Sequence, residues 1–274
     1  MSPTGYHALS YSDVGLAALL VVVSGVMSML LRLQLEARLF YASVRTAAQL
    51  ALVGLVLGAV FAIRAVWSVL AIALTMTVIA GVSAARRSPR RYVGMWTDAI
   101  GSVWTSAWLV SAYGLFIVLR PVPWYAPEYA IPLVGLVLGN TLTGISIALD
   151  RFGEELVTKR DRVETLLAFG ATRWEAARAP VQDAVRAGMI PMINAMLVTG
   201  IVSLPGMMTG QLLAGISPTE AVKYQIVVMF LLASGTTLGT VAVVLLAYRR
   251  LFNHDHQFLH GRIEGKPRKN NRTK

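Results

Sequence analysis

The chain has 274 residues, of which 55% are hydrophobic and 14% are charged, and its mean hydropathy is +0.60. This composition excludes an ordinary soluble domain and is typical of a protein embedded in a membrane. The sequence contains no cysteine, which excludes disulfides and thiolate metal sites, and its net charge is +11.

Apolar runs close to the length of about 20 residues that crosses a bilayer recur along the chain. They predict an all-α polytopic membrane protein with about seven transmembrane helices, forming one permease domain over residues 1–252. The predicted spans are residues 14–31, 47–63, 65–82, 95–119, 130–149, 189–213 and 222–248. The basic cytoplasmic tail that follows, residues 253–274, is expected to be disordered.

The basic residues predict the orientation. If the N-terminus lies outside the membrane, all of the 25 Lys and Arg residues lie inside except Arg64, Arg120 and Lys223. Because short loops rich in Lys and Arg stay cytoplasmic, this asymmetry predicts an outside N-terminus and a cytoplasmic C-terminus in the plasma membrane (a bacterial inner membrane). The same topology explains most of the net charge, so the expected basic contacts are with membrane lipid and not with nucleic acid.

The segment LQLEARLFYASV, residues 33–44, is amphipathic and is predicted to lie at the membrane interface before the second span. Arg45, which follows it, is expected to reach lipid phosphates or, as an alternative, to pair with Asp98. Glycine pairs with the spacing Gly-xxx-Gly predict close packing of several spans, because they let a neighbouring backbone approach. The pairs begin at Gly54, Gly135, Gly206 and Gly235.

Polar side chains within the fifth and sixth spans are candidates for a substrate path, because lipid offers them no hydrogen-bonding partner. The fifth span contains GNTLTGIS, residues 139–146, and the sixth contains SLPGMMTGQ, residues 203–211, where proline and glycine break the helix. The candidates are Asn140, Thr143, Ser146, Asn194, Pro205, Met207, Met208 and Gln211. The alternative is that the break is a simple kink and that the amides bond neighbouring helices.

No metal site can be assigned from the sequence. Thioethers ligate soft metals such as cuprous copper, but methionine also fills gaps in helix bundles, and the methionines of the sixth span do not share one face. These are Met189, Met192, Met196, Met207 and Met208. The tail could hold a divalent ion through its histidines, although a solvated tail is the favoured interpretation. These are His254, His256 and His260.

A soluble-looking island, residues 150–188, lies between the fifth and sixth spans and is predicted to be a cytoplasmic coupling loop. Gly170 can end one helix in the left-handed conformation that glycine enters cheaply. Thr172 can begin the next helix, because Thr172-x-x-Glu175 is a capping box. A helix–elbow–helix of this kind is suited to docking a partner protein.

The sequence contains no phosphate-binding loop, no zinc-protease motif and no nucleophile elbow, so the chain is not expected to be an enzyme and no catalytic residue or bound cofactor is assigned. The span interiors are also almost free of the ionisable residues that would couple transport to an ion gradient. The energy for transport is therefore expected to come from a separate protein.

Several stretches together carry a resemblance to a known family. They are RTAAQL (45–50), IPLVGLVLGNTLTGISIAL (131–149), LLAFGATRWEAAR (166–178), AGMIPMINAM (187–196), SLPGMMTGQLLAG (203–215) and AVKYQIVVMF (221–230). In these the chain resembles the FetB-type family of ATP-binding cassette (ABC) transporter permeases. That family is associated with iron export and includes plant half-transporters linked to aluminium tolerance.

The resemblance implies a permease homodimer, seven spans in each copy, and two cytoplasmic ATPase subunits that use the ATP. It implies a coupling helix around residues 164–172, in which Leu167 and Phe169 fill an apolar groove on the ATPase while Arg173 or Glu164 forms the rim. The implied contact also includes Gly170, Ala171 and Thr172. The E-A-A-x-x-x-G signature of ABC permeases is incomplete here, because Thr165 and Leu166 replace its two alanines.

The resemblance also implies that the cargo is iron or another metal and that it is exported. Iron ordinarily takes oxygen or imidazole ligands, whereas these spans supply amides, hydroxyls and thioethers. Two other transport functions stay open: an ATP-independent channel or carrier, and an ABC permease for a sugar nucleotide. A third alternative is a membrane scaffold or sensor whose island recruits a signalling partner.

Overall fold

A computed structural model describes residues 10–265 of the chain. Its helices are α1 (Tyr11–Leu30), α2 (Glu36–Ile63), α3 (Val66–Arg87), α4 (Met95–Tyr113), α5 (Pro127–Thr158), α6 (Arg160–Ala168), α7 (Arg173–Val198), α8 (Gly206–Leu213) and α9 (Pro218–Leu251). A π-helical segment, Gly114–Leu119, continues α4. Two short strands, β1 (Arg90–Tyr92) and β2 (Ile263–Gly265), pair antiparallel. The fold is that of an all-α, integral multi-pass membrane protein.

Within residues 10–265, six helices are long and apolar enough to cross a membrane: α1, α2, α3, α4 with its π-helical extension, α5 and α9. The predicted sixth span, residues 189–213, is not one helix. Its first part is the end of α7, and its last part is the short α8. Between them the chain turns at Gly200, whose φ is +87°, and Pro205 precedes the first residue of α8.

Helix α5 lies at the centre of the bundle and is contacted by α3, α4, α7 and α9. Its contacts with α9 and α7 are close because small residues meet there. A Cβ added to Gly239 of α9 would lie 2.5 Å from Thr141 Cγ2 of α5, and one added to Gly188 of α7 would lie 2.7 Å from the Gly144 carbonyl oxygen. These glycines therefore set the spacing of the helices around α5.

In one of the four predicted glycine pairs, both glycines are closely packed against a neighbouring helix. Gly235 and Gly239 both face α5 at distances that leave no space for a methyl group, and Gly135 approaches Met76. Around the other members of the pairs there is open space within 4 Å of an added Cβ. These open positions are Gly54, Gly58, Gly139, Gly206 and Gly210.

The hairpin of α1 and α2 stands apart from the rest of the bundle. Nearly every side chain of α2 is exposed between Glu36 and Val56, and α2 reaches the core through Leu57 and Val60 near its other end. The predicted interfacial segment, residues 33–44, is not a helix of its own, because α2 runs without a break from Glu36 into the predicted second span. The hairpin is therefore attached to the bundle at one end only.

The end of the bundle where α3, α5 and α9 finish, called the basic end below, is held by a buried ion pair. The Asp98 carboxylate is nearly inaccessible, and Arg250 of α9 donates to its two oxygens at 2.6 and 2.8 Å. The Tyr92 hydroxyl donates to Asp98 Oδ2 at 3.0 Å, and burial, followed by the Asp98 charge, raises the pKa of Tyr92 far above its usual value. The alternative pairing of Asp98 with Arg45 is wrong.

The first half of the predicted tail is folded onto this basic end. After α9, the ring of Phe258 stacks on Phe252 at 5.2 Å, and β2 then pairs with β1. Residues 253–265 are thus a packed segment and not a disordered one, because apolar rings and a strand partner are available to them. The rest of the tail, residues 266–274, lies outside the described residues.

We expect Gly239→Ala to lower the free energy of unfolding by about 1–3 kcal/mol, since the added methyl group would overlap Thr141. The matched control is Gly58→Ala, which adds a methyl group to a membrane helix where nothing lies within 4 Å. Thermal unfolding in detergent measures both. Equal stability of the two variants would contradict the close approach of α9 to α5.

Candidate functional site

The elbow between α6 and α7 has the geometry that its sequence predicts. Gly170 has φ +88°, and two backbone hydrogen bonds close α6: Gly170 N–H donates to the Leu167 carbonyl and Ala171 N–H to the Leu166 carbonyl, both at 3.0 Å. This pair of bonds is the Schellman motif, which requires a left-handed residue at the position of Gly170. The predicted helix end is confirmed.

The capping box at the start of α7 is also confirmed. Glu175 N–H donates to Thr172 Oγ1 at 3.3 Å, and Thr172 N–H donates to Glu175 Oε2 at 2.7 Å. The hydrogen bonds from Thr172 to the Glu175 carboxylate, first from the side chain and then from the backbone, hold the pKa of Glu175 below its usual value. The elbow is therefore fixed by its own local bonds and needs no partner to form.

The side chains of the elbow divide into exposed and packed groups. Phe169 is 87% exposed, and Leu166 beside it is also exposed. Leu167 instead packs partly against the core of its own chain, so it offers less surface for a partner than Phe169 does. Glu164 forms an ion pair with Arg160 at 2.6 Å, and Ala171 is half-buried.

Arg173, the first residue of α7, is bound by the folded segment after α9. Its backbone N–H donates to His256 Nδ1 at 2.9 Å, and its guanidinium donates to the Asn253 carbonyl at 3.1 Å. Arg173 is thus half-buried against its own chain and is not a free rim residue. No local signal in the sequence predicts this contact, because Asn253 and His256 lie 80 and 83 residues after Arg173.

The predicted polar residues of α5 do not share one environment. Asn140 and Thr143 lie on a side of α5 that the neighbouring helices leave partly open, and each bonds to a carbonyl one turn earlier, of Leu136 and Gly139 respectively, at 3.0 Å. Ser146 is buried on another side, where its hydroxyl lies 3.4 Å from the Ala84 carbonyl of α3.

The partly open side of α5 forms a strip, called the α5 strip below, that runs towards the basic end. The middle of the strip contains the Asn140 amide and the Thr143 hydroxyl. Nearer the basic end of the bundle lie the Asp150 and Glu154 carboxylates, each about half exposed. Helices α3, α4, α7 and α9 cover the other sides of α5. The strip consists of Leu136, Gly139, Asn140, Thr143, Ile147, Asp150 and Glu154.

The predicted residues of the broken segment are also separated. Asn194 is exposed on α7, Pro205 immediately precedes α8, and Met207 packs partly against the core. The Gln211 side chain on α8 has a buried Oε1 without a hydrogen-bond partner among the described residues. Met208 lines a cavity that has a volume of about 440 Å³.

That cavity lies between the end of α7, α8 and the start of α9. Sequence reasoning missed two of its residues, Gln225 and Met229, because they lie in the seventh predicted span and meet Met208 only in the folded chain. The signal that could have found Gln225 is its amide within the apolar run AVKYQIVVMF, residues 221–230. None of the described residues forms a cluster of three or more histidine and acidic side chains suited to a metal ion.

The chain is similar to proteins of one family. The family model described as "Uncharacterised protein family (UPF0014)" matches residues 11–252. The UPF0014 membrane protein slr1647 of Synechocystis is 39% identical over 83% of this chain and 88% of its own length. The probable iron export permease protein FetB of Escherichia coli is 30% identical over 92% and 96%. The UPF0014 membrane protein STAR2 of rice is 33% identical over 86% and 81%, and no solved structure matches the chain.

We expect His256→Ala to speed amide hydrogen exchange in the first turn of α7, because Arg173 N–H loses its acceptor. A net hydrogen bond is worth about 1 kcal/mol, which corresponds to roughly a fivefold change in the local opening equilibrium. The matched control is His254→Ala, which removes an exposed imidazole two residues away. Mass spectrometry of peptides covering residues 169–180 measures the effect, and equal exchange in both variants would argue against the contact.

Proposed function

Because the chain belongs to the UPF0014 family of membrane proteins, we propose that it is the permease subunit of an ABC transporter. In this proposal a separate cytoplasmic ATPase subunit hydrolyses the ATP, and the permease exports iron or another metal across the plasma membrane. The observation that carries the proposal is the preformed elbow with Phe169 exposed at its tip. The relative named as a probable iron export permease supports the cargo.

The exposed ring of Phe169 supports docking of a partner. An aromatic side chain buries about 150–250 Å² when it enters an apolar groove, and this burial contributes strongly to the free energy of binding. Because local hydrogen bonds fix the elbow before any partner arrives, its conformational entropy falls little when a partner binds. These are the properties expected of a surface that transmits force between two proteins.

The two helices that leave the elbow connect it with the centre of the bundle. Helix α6 follows α5 after one residue, and its Val163 is buried. Helix α7 packs along α5 and α9, where Gly188 lies against Gly144. A displacement of the elbow by an ATPase would therefore move α7 against α5, and the α5 strip with Asn140 and Thr143 borders that contact.

The separate α1–α2 hairpin supports assembly of two copies. Arg45 and Gln49 lie one turn apart on an exposed face of α2, whereas Ser43 and Ala47 line the groove towards α1. An arginine within an apolar helix needs a polar partner or access to water. We assign this partner to the α5 strip of a second copy. Its carboxylates, Asp150 and Glu154, each form one ion pair in their own chain, with Arg90 and Arg151, but a carboxylate has two oxygens and can accept from a further arginine.

The depths of these charges in the bundle are compatible. Arg45 lies nine residues after the start of α2, or about 14 Å along the helix axis from the basic end. Asp150 lies eight residues before the end of α5, or about 12 Å from the same end. The α2 face of one copy can therefore meet the α5 strip of the other with opposite charges at similar depth.

The test of this function is ATP hydrolysis by the permease in lipid together with a candidate ATPase subunit, titrated separately with ferrous iron and with a UDP-sugar. Stimulation by iron that Asn140→Ala weakens would support metal export past the α5 strip. Ser146→Ala is the control, because that side chain faces α3. Stimulation by the UDP-sugar alone would overturn the metal cargo, and flux through the permease without any ATPase would overturn the ABC assignment.

Substitution of Phe169 by serine is expected to abolish co-purification of the ATPase and any stimulation of its activity. The fold should tolerate the change, since Phe169 is 87% exposed and lies outside the core. Phe116→Ser removes an exposed ring from the π-helical segment, away from the elbow, and is the control. Retention of a coupled complex by Phe169→Ser would refute docking through the elbow.

Because the chain lacks cysteine, cross-links can test the assembly of two copies directly. Chains with Gln49→Cys and chains with Ile147→Cys, carrying different tags, are co-expressed in membranes and oxidised. We expect a disulfide between the two tagged chains, because α2 of one copy faces the α5 strip of the other. Ala47→Cys, at similar depth but on the face of α2 that lines the groove towards α1, is the control. Efficient cross-linking with Ala47→Cys and not with Gln49→Cys would reject this interface.

A further inference from the structure

The cavity between α7, α8 and α9 has an unusual donor set. The three methionines that line it come from three separate helices: Met196 from α7, Met208 from α8 and Met229 from α9. The cavity has a volume of about 440 Å³, and the rest of its lining includes Gln225 and Phe230. These methionines lie within 34 consecutive residues, 196–229, but on three different helices, so they line one cavity only in the folded chain.

These methionines differ from those that fill the core. Met95 and Met192 are 1% and 3% exposed and are enclosed by other side chains, as expected for methionine used as a flexible filler. Met196, Met208 and Met229 instead border open space. Packing alone therefore explains the first pair, whereas the cavity methionines are only partly packed: Met229 contacts the core on one side, and Met196 is 36% exposed.

Gln225 supplies a second, independent indication of a ligand. Its side chain lines the cavity and is 6% exposed, and its Oε1 has no hydrogen-bond partner among residues 10–265. A buried polar atom without a partner costs about 1–3 kcal/mol. The nearby Thr199 hydroxyl does not satisfy it, because that hydroxyl donates to the Ala195 carbonyl at 2.6 Å. Because this oxygen is itself nearly inaccessible, a positively charged occupant of the cavity would satisfy it once the side-chain amide turns towards the cavity.

The lining contains neither a carboxylate nor an imidazole, which hard and borderline divalent ions would require. Thioether sulfur is a soft, neutral ligand that selects monovalent cuprous copper and similar ions. We propose that Met196, Met208 and Met229 bind a soft monovalent metal ion, of the cuprous type, beside the Gln225 amide oxygen. This assigns a ligand class within the proposed transporter, and its role in transport rests on the proposed function.

The cavity is distinct from the α5 strip. Met196 lies two turns along α7 from Met189, whose sulfur accepts a hydrogen bond from Thr237 of α9, so this side of α7 faces α9. Gly188 marks the neighbouring side, which faces α5. Iron passing the α5 strip and a soft ion held in the cavity would therefore use different surfaces of α7.

The test uses the full chain alone, in detergent without thiols or chloride, with silver ion as the probe. Calorimetry should give one saturable site in the unsubstituted chain. The variant Met196→Leu, Met208→Leu, Met229→Leu should bind at least about tenfold more weakly, because leucine keeps the volume but removes the sulfur ligands. The matched control is Met27→Leu, Met29→Leu, Met76→Leu, which removes three thioethers outside the cavity and should bind as before.

X-ray absorption of the cuprous complex should show sulfur neighbours that disappear in the cavity variant only. Thermal unfolding of both variants shows whether they are folded. Absence of saturable silver binding by the unsubstituted chain would overturn the proposal, as would equal binding by the cavity and control variants. Because no ATPase takes part, failure here is distinguishable from failure of the proposed function, which the elbow variant and the hydrolysis assay decide.

Discussion

The architecture depends on how closely α9 and α7 approach α5. In a bilayer the hydrophobic effect does not drive helices together, so their association relies on close van der Waals contact between small residues. Here glycines of α9 and α7 meet threonine and glycine of α5. The threonine hydroxyls of α9 add no unpaired groups, because Thr236 and Thr240 donate to carbonyls of their own helix at 2.8 Å. The contact is thus tight and its α9 hydroxyls are paired, whereas the buried Thr141 hydroxyl of α5 has no hydrogen-bond partner among the described residues.

This packed centre is continuous with the surface that we assign to the ATPase. Helix α5 has 32 residues and is about 48 Å long, which exceeds the bilayer's hydrocarbon thickness of about 30 Å. The elbow follows α5 and α6, and α7 leads back along α5. The segment after α9 accepts two hydrogen bonds from Arg173 at the start of α7 and so connects the end of α9 with the elbow. Movement at the elbow is therefore resisted by the same helices that form the core.

Local signals in the sequence were sufficient for the elbow and for most membrane helices. A left-handed glycine followed by a capping box specifies a helix end and a helix start through bonds within a few residues, and the structure has both. Apolar length likewise predicted seven spans, six of which are long helices in the described residues. The segment from Met189 to Leu213 differs because a left-handed turn at Gly200 intervenes, and hydropathy carries no information about such a turn.

Contacts between distant residues could not be predicted. The pairing of Asp98 with Arg250 joins residues 152 positions apart, and nothing near Asp98 in the sequence favours Arg250 over Arg45, the partner that the sequence suggested. The order of residues 253–265 depends on pairing with β1 and on the exposed start of α7, neither of which the tail sequence shows. The thioether cavity combines three helices in the same way, so methionine spacing within one helix could not reveal it.

The attachment of the α1–α2 hairpin at one end has a mechanical consequence. From Leu57, where α2 touches the core, to Glu36 at the basic end, the helix extends over 21 residues, or about 32 Å. A tilt of about 10° at the attachment would displace the far end by about 6 Å, roughly one helical turn. In the proposed transporter the hairpin would therefore act as a lever arm, in which a small rearrangement of the side chains around Leu57 and Val60 changes the distance between the start of α2 and the rest of the bundle.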